Sequence, residues 1–346
     1  MQSTTIGIDL AKSVFQVSIA DPHHRIIKRQ RLSRNQFQRF LAHTPPAKLV
    51  MEGCASAHHW GRLAQSHGHQ VKILHAGYVR PYVRRNKTDA ADADALIRAD
   101  ADPDLKPIPV KPTHQQALQS LHRIRVQWQK TRIARINEAR GLLGEFGVIL
   151  PSGTQDIARR LHDVADQLPE LLQFTFTELI AEISECQDRL KRVDKTLGNI
   201  VTTDPVGQRL LTVSGVGPTI TSAMLGGVSN IQGFKRGRAF ASWLGLTPRE
   251  YSSGSTRNLG RISRRGDNYL RTMLIHGARS ALLAAKRARK RGNELTELQQ
   301  WALSLQDRAG HNKATVALAN KMARIIWAVW TKDRAFDGNH AARYHG

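Results

Sequence analysis

The chain has 346 residues, enough for two or three domains, and carries 52 Lys and Arg against 28 Asp and Glu, a formal net charge of +24. That excess points to a polyanionic partner, because neutralised phosphates release condensed counterions. Only Cys54 and Cys186 are present and no Cys/His cluster has zinc-finger spacing, which excludes a disulfide framework and structural zinc.

The opening "MQSTTIGIDL" has no basic region followed by an apolar one, so no secretory leader is expected. No apolar run is long enough to span a bilayer, so no membrane partner and a cytoplasmic setting are expected. "TTIGIDL" and "SVFQVSIAD" read as a β-hairpin, and "HRIIKRQRLS" as a third strand. A helix at "NQFQRFLAH", a buried strand at "KLVMEG", a helix through "HHWGRLAQSHG" and a strand at "QVKILHA" follow. The order β-β-β-α-β-α-β makes the first region, residues 1–110, an α/β domain.

Asp9 and Glu52 each end an apolar strand, where aspartate in particular is disfavoured by propensity. Neighbouring strands in one sheet would bring the two carboxylates to one edge. Asp89 and Asp92 stand three apart at the start of a predicted helix and face the same way. Each has an ordinary explanation as well: Asp9 as a turn residue, Asp89 and Asp92 as partners of the helix dipole behind an N-cap at Thr88. Taken together, with the basic flank Arg80, Arg84, Arg85 and Lys87 just before them, the four acids point to a site for divalent cations, Mg²⁺ above all. Asp94 and Asp100 fall elsewhere on the helix and read as solvated or ion-paired, so Asp94→Asn is expected to be mild.

Residues 111–200 change character. "HQQALQSLHRIRVQWQKTRIARINEARGLLGEFG" is a long helical pattern, with Leu118, Leu121, Ile124, Val126 and Ile133 near one stripe. After a break at "LPSGT", a second long helix carries Leu179, Ile183, Cys186 and Leu190. Two such helices around a break predict a helical hairpin or coiled-coil arm, serving self-association or acting as a spacer.

Residues 201–335 form a mainly helical third region. "GVGP", with Gly215 and Gly217, reads as a helix–turn–helix, either a phosphate-binding turn or an ordinary Gly-Pro turn. A helix reaches "KRARKR", where Lys286, Arg287, Arg289, Lys290 and Arg291 favour phosphate contact over a solvated helix end. The loop "REYSSGSTRNLGRISRRGD" gathers serines with Arg257, Arg261, Arg264 and Arg265, whose guanidinium forks suit phosphate oxygens. A serine here is a phosphate hydrogen-bonder or a nucleophile, and no Ser-His-Asp spacing decides between them. A last helix covers "NKATVALANKMARIIWAVWTK", and the tail after Trp330 is expected to be loose.

The runs "IGIDLAKSVFQV", "VMEGCASAHHW", "YVRPYVRRNKTDAADADAL", "LLTVSGVGP" and "FASWLGLTPREYSSGSTRNLGRISRRGDNYLRTML" resemble, in order, the DEDD-type insertion-sequence transposases of the IS110 family, in its IS1111 branch. The resemblance implies a RuvC-like, ribonuclease-H-fold catalytic domain, a coiled-coil dimerisation arm and a C-terminal transposase domain. It implies a Mg²⁺-binding tetrad at Asp9, Glu52, Asp89 and Asp92 and a serine nucleophile at Ser253, between Ser252 and Ser255. It further implies a homo-oligomer, a dimer or tetramer, that recombines donor and target DNA with an element-encoded noncoding guide RNA. The alternatives are a metal-dependent nuclease or junction resolvase without a covalent intermediate, and a non-enzymatic scaffold.

Overall fold

The computed structural model describes residues 4–83, 88–153 and 155–339. The chain divides into two compact units, Met1–Gln116 and Ala117–Gly346.

In the first unit, β1 (Thr5–Leu10), β2 (Val14–Ala20) and β3 (Ile26–Ser33) form an antiparallel meander. The strands β4 (Lys48–Glu52) and β5 (Gln70–Leu74) add in parallel on the other side of β1, giving the order β3-β2-β1-β4-β5. Between them come α1 (Arg34–His43), started by a capping box of Ser33 and Gln36, and α2 (Ala57–Ser66). Phe37 and Leu41 of α1 and Trp60 and Ala64 of α2 pack with Ile6, Ile8, Leu49 and Met51 of the sheet. After the single turn α3 (Ala76–Val79), α4 (Asp89–Asp100) covers the opposite face, where Ala95, Leu96 and Ala99 meet Val50 and Leu74. The mixed sheet with helices on both faces fits the ribonuclease-H-like domain that the resemblance implied.

From Ala117 on, the second unit opens with two long helices, α5 (Thr113–Glu145, whose first residues belong to the first unit) and α7 (Glu170–Thr203), with α6 (Ile157–His162) between them. The pairs Arg125–Asp194, Arg132–Gln187 and Arg135–Glu182 fix α5 and α7 as antiparallel neighbours. Ile136, Ala139 and Leu143 pack with Leu161, Phe176 and Ile183. The predicted stripe on α5 is partly wrong: Leu118 is buried, but Ile124 and Ile133 are each 44% exposed. The inner face carries His122 and Arg125 instead, polar residues that a hydrophobic pattern does not count.

Beyond them, α8 (Pro205–Leu210), α9 (Pro218–Gly227), α10 (Gly237–Trp243), α11 (Asn268–Lys290), α12 (Glu297–Ala309) and α13 (His311–Thr331) share one core around Phe240, Leu274, Met322 and Ile326. Helix α12 lies outside the elements expected from sequence, although Thr296 and Gln299 form a capping box at its start. The serine-rich segment expected as a loop is a hairpin of β6 (Pro248–Glu250) and β7 (Leu259–Ile262). Nor is the tail loose as far as Phe336. That residue is buried, its N–H donates to Thr212 Oγ1 at 2.7 Å, and Asp333 pairs with Arg209. Among the described residues no helix is long and apolar enough to cross a membrane.

One buried polar node joins α5, α9 and α11. The two ring nitrogens of His122 contact Tyr269 Oη at 2.9 Å and Ser222 Oγ at 3.1 Å. Burial, helped by the Arg125 charge, pushes His122 down to about 4 from 6.5. Between those values the unfolded chain binds more protons than the folded one, so stability falls as pH drops through that window. The melting temperature should therefore fall between about pH 7 and about pH 5, and His122→Gln should flatten that dependence. The same pH slope in both proteins, read by calorimetry, would remove His122 from the account.

Candidate active site

Strand alternation sets the direction of the first two acids. Ile6 and Ile8 face α1 and α2, so Thr5, Gly7 and Asp9 face α4. β4 runs parallel with Ile8 opposite Met51, which places Lys48, Val50 and Glu52 on that same face. Asp9 and Glu52 thus each stand one residue beyond the last matched pair, at the same strand ends, and both are half-buried.

The register of α4 comes from three contacts. A Cβ on Gly7 would lie 2.3 Å from the Ala93 carbonyl oxygen, so only glycine lets the helix backbone rest on β1 here. Ser18 donates to Asp94 at 2.7 Å, and Arg29 donates through Nη2 to the same carboxylate at 2.9 Å. Asp100, its side chain fully buried, pairs with Lys48 and, at 3.0 Å, with Lys72. Burial alone would raise Asp100, but hydrogen bonds and charge from Lys48 and Lys72 hold its carboxyl below the usual range. Neither Asp94 nor Asp100 is solvated; both are structural ion-pair members.

Lys48 opens β4 and Asp100 closes α4, so the helix runs against the strand. At about 3.3 Å per strand residue and about 1.5 Å per helix residue, the step from Lys48 to Glu52 roughly equals that from Asp100 back to Asp92. The first turn of α4, with Asp89 and Asp92, therefore lies level with the strand ends that carry Asp9 and Glu52. Thr88 caps the helix, accepting from the Ala91 N–H at 3.2 Å, so the dipole role of the two first-turn acids is in place as well.

Carboxylate oxygens are the hard donors that Mg²⁺ takes, and these four, brought to one end of the sheet, fit it in donor type. Among the described residues no group of three or more His, Cys, Asp or Glu stands close enough to hold one ion, so the four acids match Mg²⁺ in donor type and not in spacing. Arg80 is exposed after α3, while Arg84, Arg85 and Lys87 lie outside the described residues.

Ser253 belongs to the second unit, at the tip of the β6–β7 hairpin. The backbone of Ser253 and Thr256 closes a tight turn, at 3.3 and 3.2 Å, with Gly254 at φ +57. Ser252 is occupied: its hydroxyl donates to Glu250 at 2.7 Å and accepts from the Asn258 N–H at 3.2 Å. The Ser253 hydroxyl makes no hydrogen bond among the described residues and is exposed. Arg257 pairs with Glu250 at 3.3 Å, and Arg261, Arg264 and Arg265 are exposed.

At the hairpin's base stands a residue that the sequence reading missed. Arg271 is buried and donates to the carbonyls of Leu244 and Arg265, at 3.1 and 3.0 Å, and to Asn268 Oδ1 at 2.7 Å. It binds the end of α10 to the end of the hairpin. Nothing in the sequence separates it from the exposed arginines around it.

Gly215, at φ +83, has a packing duty: a Cβ there would lie 2.4 Å from the Gly277 carbonyl oxygen of α11. Gly217 precedes Pro218 at the start of α9, and a Cβ on it would meet nothing within 4 Å. At the end of α11, Arg287, Arg289, Lys290 and Arg291 are exposed and Lys286 is half-buried. Arg289 pairs with Asp307 of α12 at 2.8 Å.

Comparison with known proteins covers both regions. Residues 6–147 match a family described as transposase, of the DEDD type, and residues 207–293 match the transposase IS116/IS110/IS902 family. A probable family 20 transposase of Pseudomonas aeruginosa is 40% identical over 97% of this chain and 99% of its own length. The transposase for insertion sequence element IS1111A of Coxiella burnetii is 34% identical over 96% of this chain and 90% of its own. A more distant relative, the pilin gene-inverting protein of Moraxella bovis, is 24% identical over 97% of this chain and 98% of its own.

The acids of α4 thus divide into two sets with different expected behaviour. Asp94→Ala strands Ser18 and Arg29 and should cost about 1–3 kcal/mol of unfolding free energy. Asp92→Asn, at a side chain with no such contact among the described residues, should change stability by no more than about 0.5 kcal/mol. Denaturant titration of both variants checks the division, and equal losses would merge the two sets.

Proposed function

The chain belongs to the IS116/IS110/IS902 family of transposases, enzymes acting on DNA, and from that premise we propose that it recombines DNA through a covalent bond to Ser253, with Mg²⁺ held by Asp9, Glu52, Asp89 and Asp92. The observation that carries this reading is the exposed Ser253 hydroxyl, without a hydrogen-bond partner among the described residues, beside a Ser252 that is fully engaged.

In the proposed step, Ser253 Oγ forms an ester bond to the scissile phosphorus as the phosphorus–deoxyribose oxygen bond breaks. Ser253 gives up a proton and the freed deoxyribose oxygen takes one up, so the step conserves the number of phosphoester bonds and runs backwards with another strand's hydroxyl. Exposed arginines on the hairpin hold the phosphate that is attacked. Asp9, Glu52, Asp89 and Asp92 would hold Mg²⁺, which when bound would supply Lewis-acid chemistry for phosphate oxygens. Arg271 keeps the hairpin's base fixed, so the serine is presented without a large ordering cost. The Moraxella relative's name favours recombination over plain cleavage, since inverting a gene requires that the cut strands be rejoined.

Partners follow on the same footing. An element-encoded noncoding RNA supplies sequence choice by pairing, while a chain of net charge +24 supplies backbone affinity. That RNA rests on the family resemblance. Self-association to a dimer or tetramer is supported by apolar side chains left exposed on the arm, with Ile149, Leu171 and Phe174 exposed by 88%, 89% and 77%. The division into residues 1–110, 111–200 and 201–335 is the functional partition that goes with this reading.

Two measurements test the proposal. Denaturing gels of the protein with labelled donor DNA should show a covalent adduct in wild type, Ser252→Ala and Ser255→Ala, and none in Ser253→Ala or Asp92→Asn. Mg²⁺-dependent cleavage without any adduct would return the protein to the nuclease reading. Sequencing nucleic acid that copurifies with the protein expressed from its native locus should recover a noncoding RNA of the element, and its absence would remove RNA from the partners.

A further inference from the structure

The hairpin that presents Ser253 also presents an aromatic ring. Tyr251 lies two residues before the serine and is 63% exposed. Its backbone is fixed, the N–H donating to the Asn258 carbonyl at 2.9 Å. Its ring rests on the neighbouring strand: a Cβ on Gly260 of β7 would lie 3.3 Å from Tyr251 Cε2, so the ring lies across a strand position that carries no side chain. One explanation needs no ligand, since an aromatic ring shields a glycine on the neighbouring strand. That duty uses only the part of the ring turned to β7 and leaves most of it in water.

The surroundings are those of a nucleic-acid contact. Arg249 is held along the hairpin by Nε and Nη2 donating to the Ser263 carbonyl, at 3.3 and 3.2 Å, and Arg257 by Glu250. Arg261 is exposed on β7 and makes no ion pair among the described residues. A held, exposed aromatic ring among arginines matches the chemistry by which proteins take up unpaired bases, with guanidinium groups on the backbone and a base stacked on the ring.

We propose that Tyr251 is a stacking platform for an unpaired nucleobase next to the phosphate at Ser253. The ligand class is a single-stranded segment of DNA, read by the face of one base and without hydrogen bonds to its edge. Stacking accepts every base, so the platform fixes the strand's position relative to the serine rather than its sequence. The placement beside a reacting phosphate rests on the proposed role of Ser253; the stacking itself does not.

The test uses the full-length chain with an oligo-dT strand and an abasic strand of the same length. Wild type should bind the strand with bases about tenfold or more tightly than the abasic one. Tyr251→Ala should lose most of that preference and Tyr251→Phe should keep it. Tyr251→Leu, which still covers Gly260, should lose it without unfolding the hairpin, as judged by an unchanged melting temperature. Tyr251→Trp should strengthen it. The preference surviving in Tyr251→Leu, or a folded Tyr251→Trp that binds no better than wild type, overturns the platform. Ser253→Ala should keep the full preference. An adduct that persists in Ser253→Ala overturns the serine's role while the platform is judged on Tyr251 alone, so the two failures are distinguishable.

Discussion

Everything at the first unit's candidate site depends on how closely α4 lies on β1. The contact is backbone to backbone at Gly7, and any side chain there would lift the helix away from the sheet. A helix lying that close must offer nothing bulky in return, which accounts for the run of alanines along "DAADADALIRAD". The closeness also buries carboxylates, and a buried carboxylate is tolerated only when it is paired. Asp94 with Ser18 and Arg29, and Asp100 with Lys48 and Lys72, meet that requirement, and together they lock the helix against sliding. With those two acids engaged, the helix can carry Asp89 and Asp92 to the strand ends in one fixed orientation.

The second unit solves a similar problem by other means. Its hairpin is short, rich in serine, glycine and arginine, and has no apolar face with which to pack. Order comes from polar contacts: Glu250 gathers Ser252 and Arg257 near the tip, and Arg271 binds the base. Burial pulls the Arg271 guanidinium below its ordinary value, yet three acceptors surround it and it remains charged. His122 is the neutral counterpart, a buried ring held by two hydroxyls. In both units buried polar groups fix the geometry, Asp94 and Asp100 in the first and Arg271 and His122 in the second.

Much of this was readable from the chain alone, and the boundary of legibility is physical. The order of strands and helices along the chain follows from alternation and turn chemistry, and Asp9 and Glu52 stand out because aspartate in particular is disfavoured in strands. Asp89 and Asp92 are legible for another reason, since residues three apart on a helix face the same way. Spacing could not say that Asp94 is buried, because its partners Ser18 and Arg29 stand 76 and 65 residues away. Arg271 looks like any arginine of a basic segment, and His122 interrupts a hydrophobic pattern that continues in sequence through Ile124 and Ile133. Polar residues that serve the interior are invisible to a hydrophobic count. The hairpin has the sequence signature of a loop because its strands are short and exposed, so neither burial nor alternation marks them.

The arm between these regions carries its own geometry. Arg125 to Arg132 is seven residues along α5, and their partners Asp194 and Gln187 lie seven residues apart along α7. The two helices are therefore graduated alike and read in opposite directions. Removing a heptad from one helix alone would set every later pair out of step, whereas removing matched heptads from both would leave the remaining pairs facing each other. Changes in arm length during the divergence of such chains are thus constrained to come in pairs of segments lying some 60 residues apart in sequence but side by side in the structure.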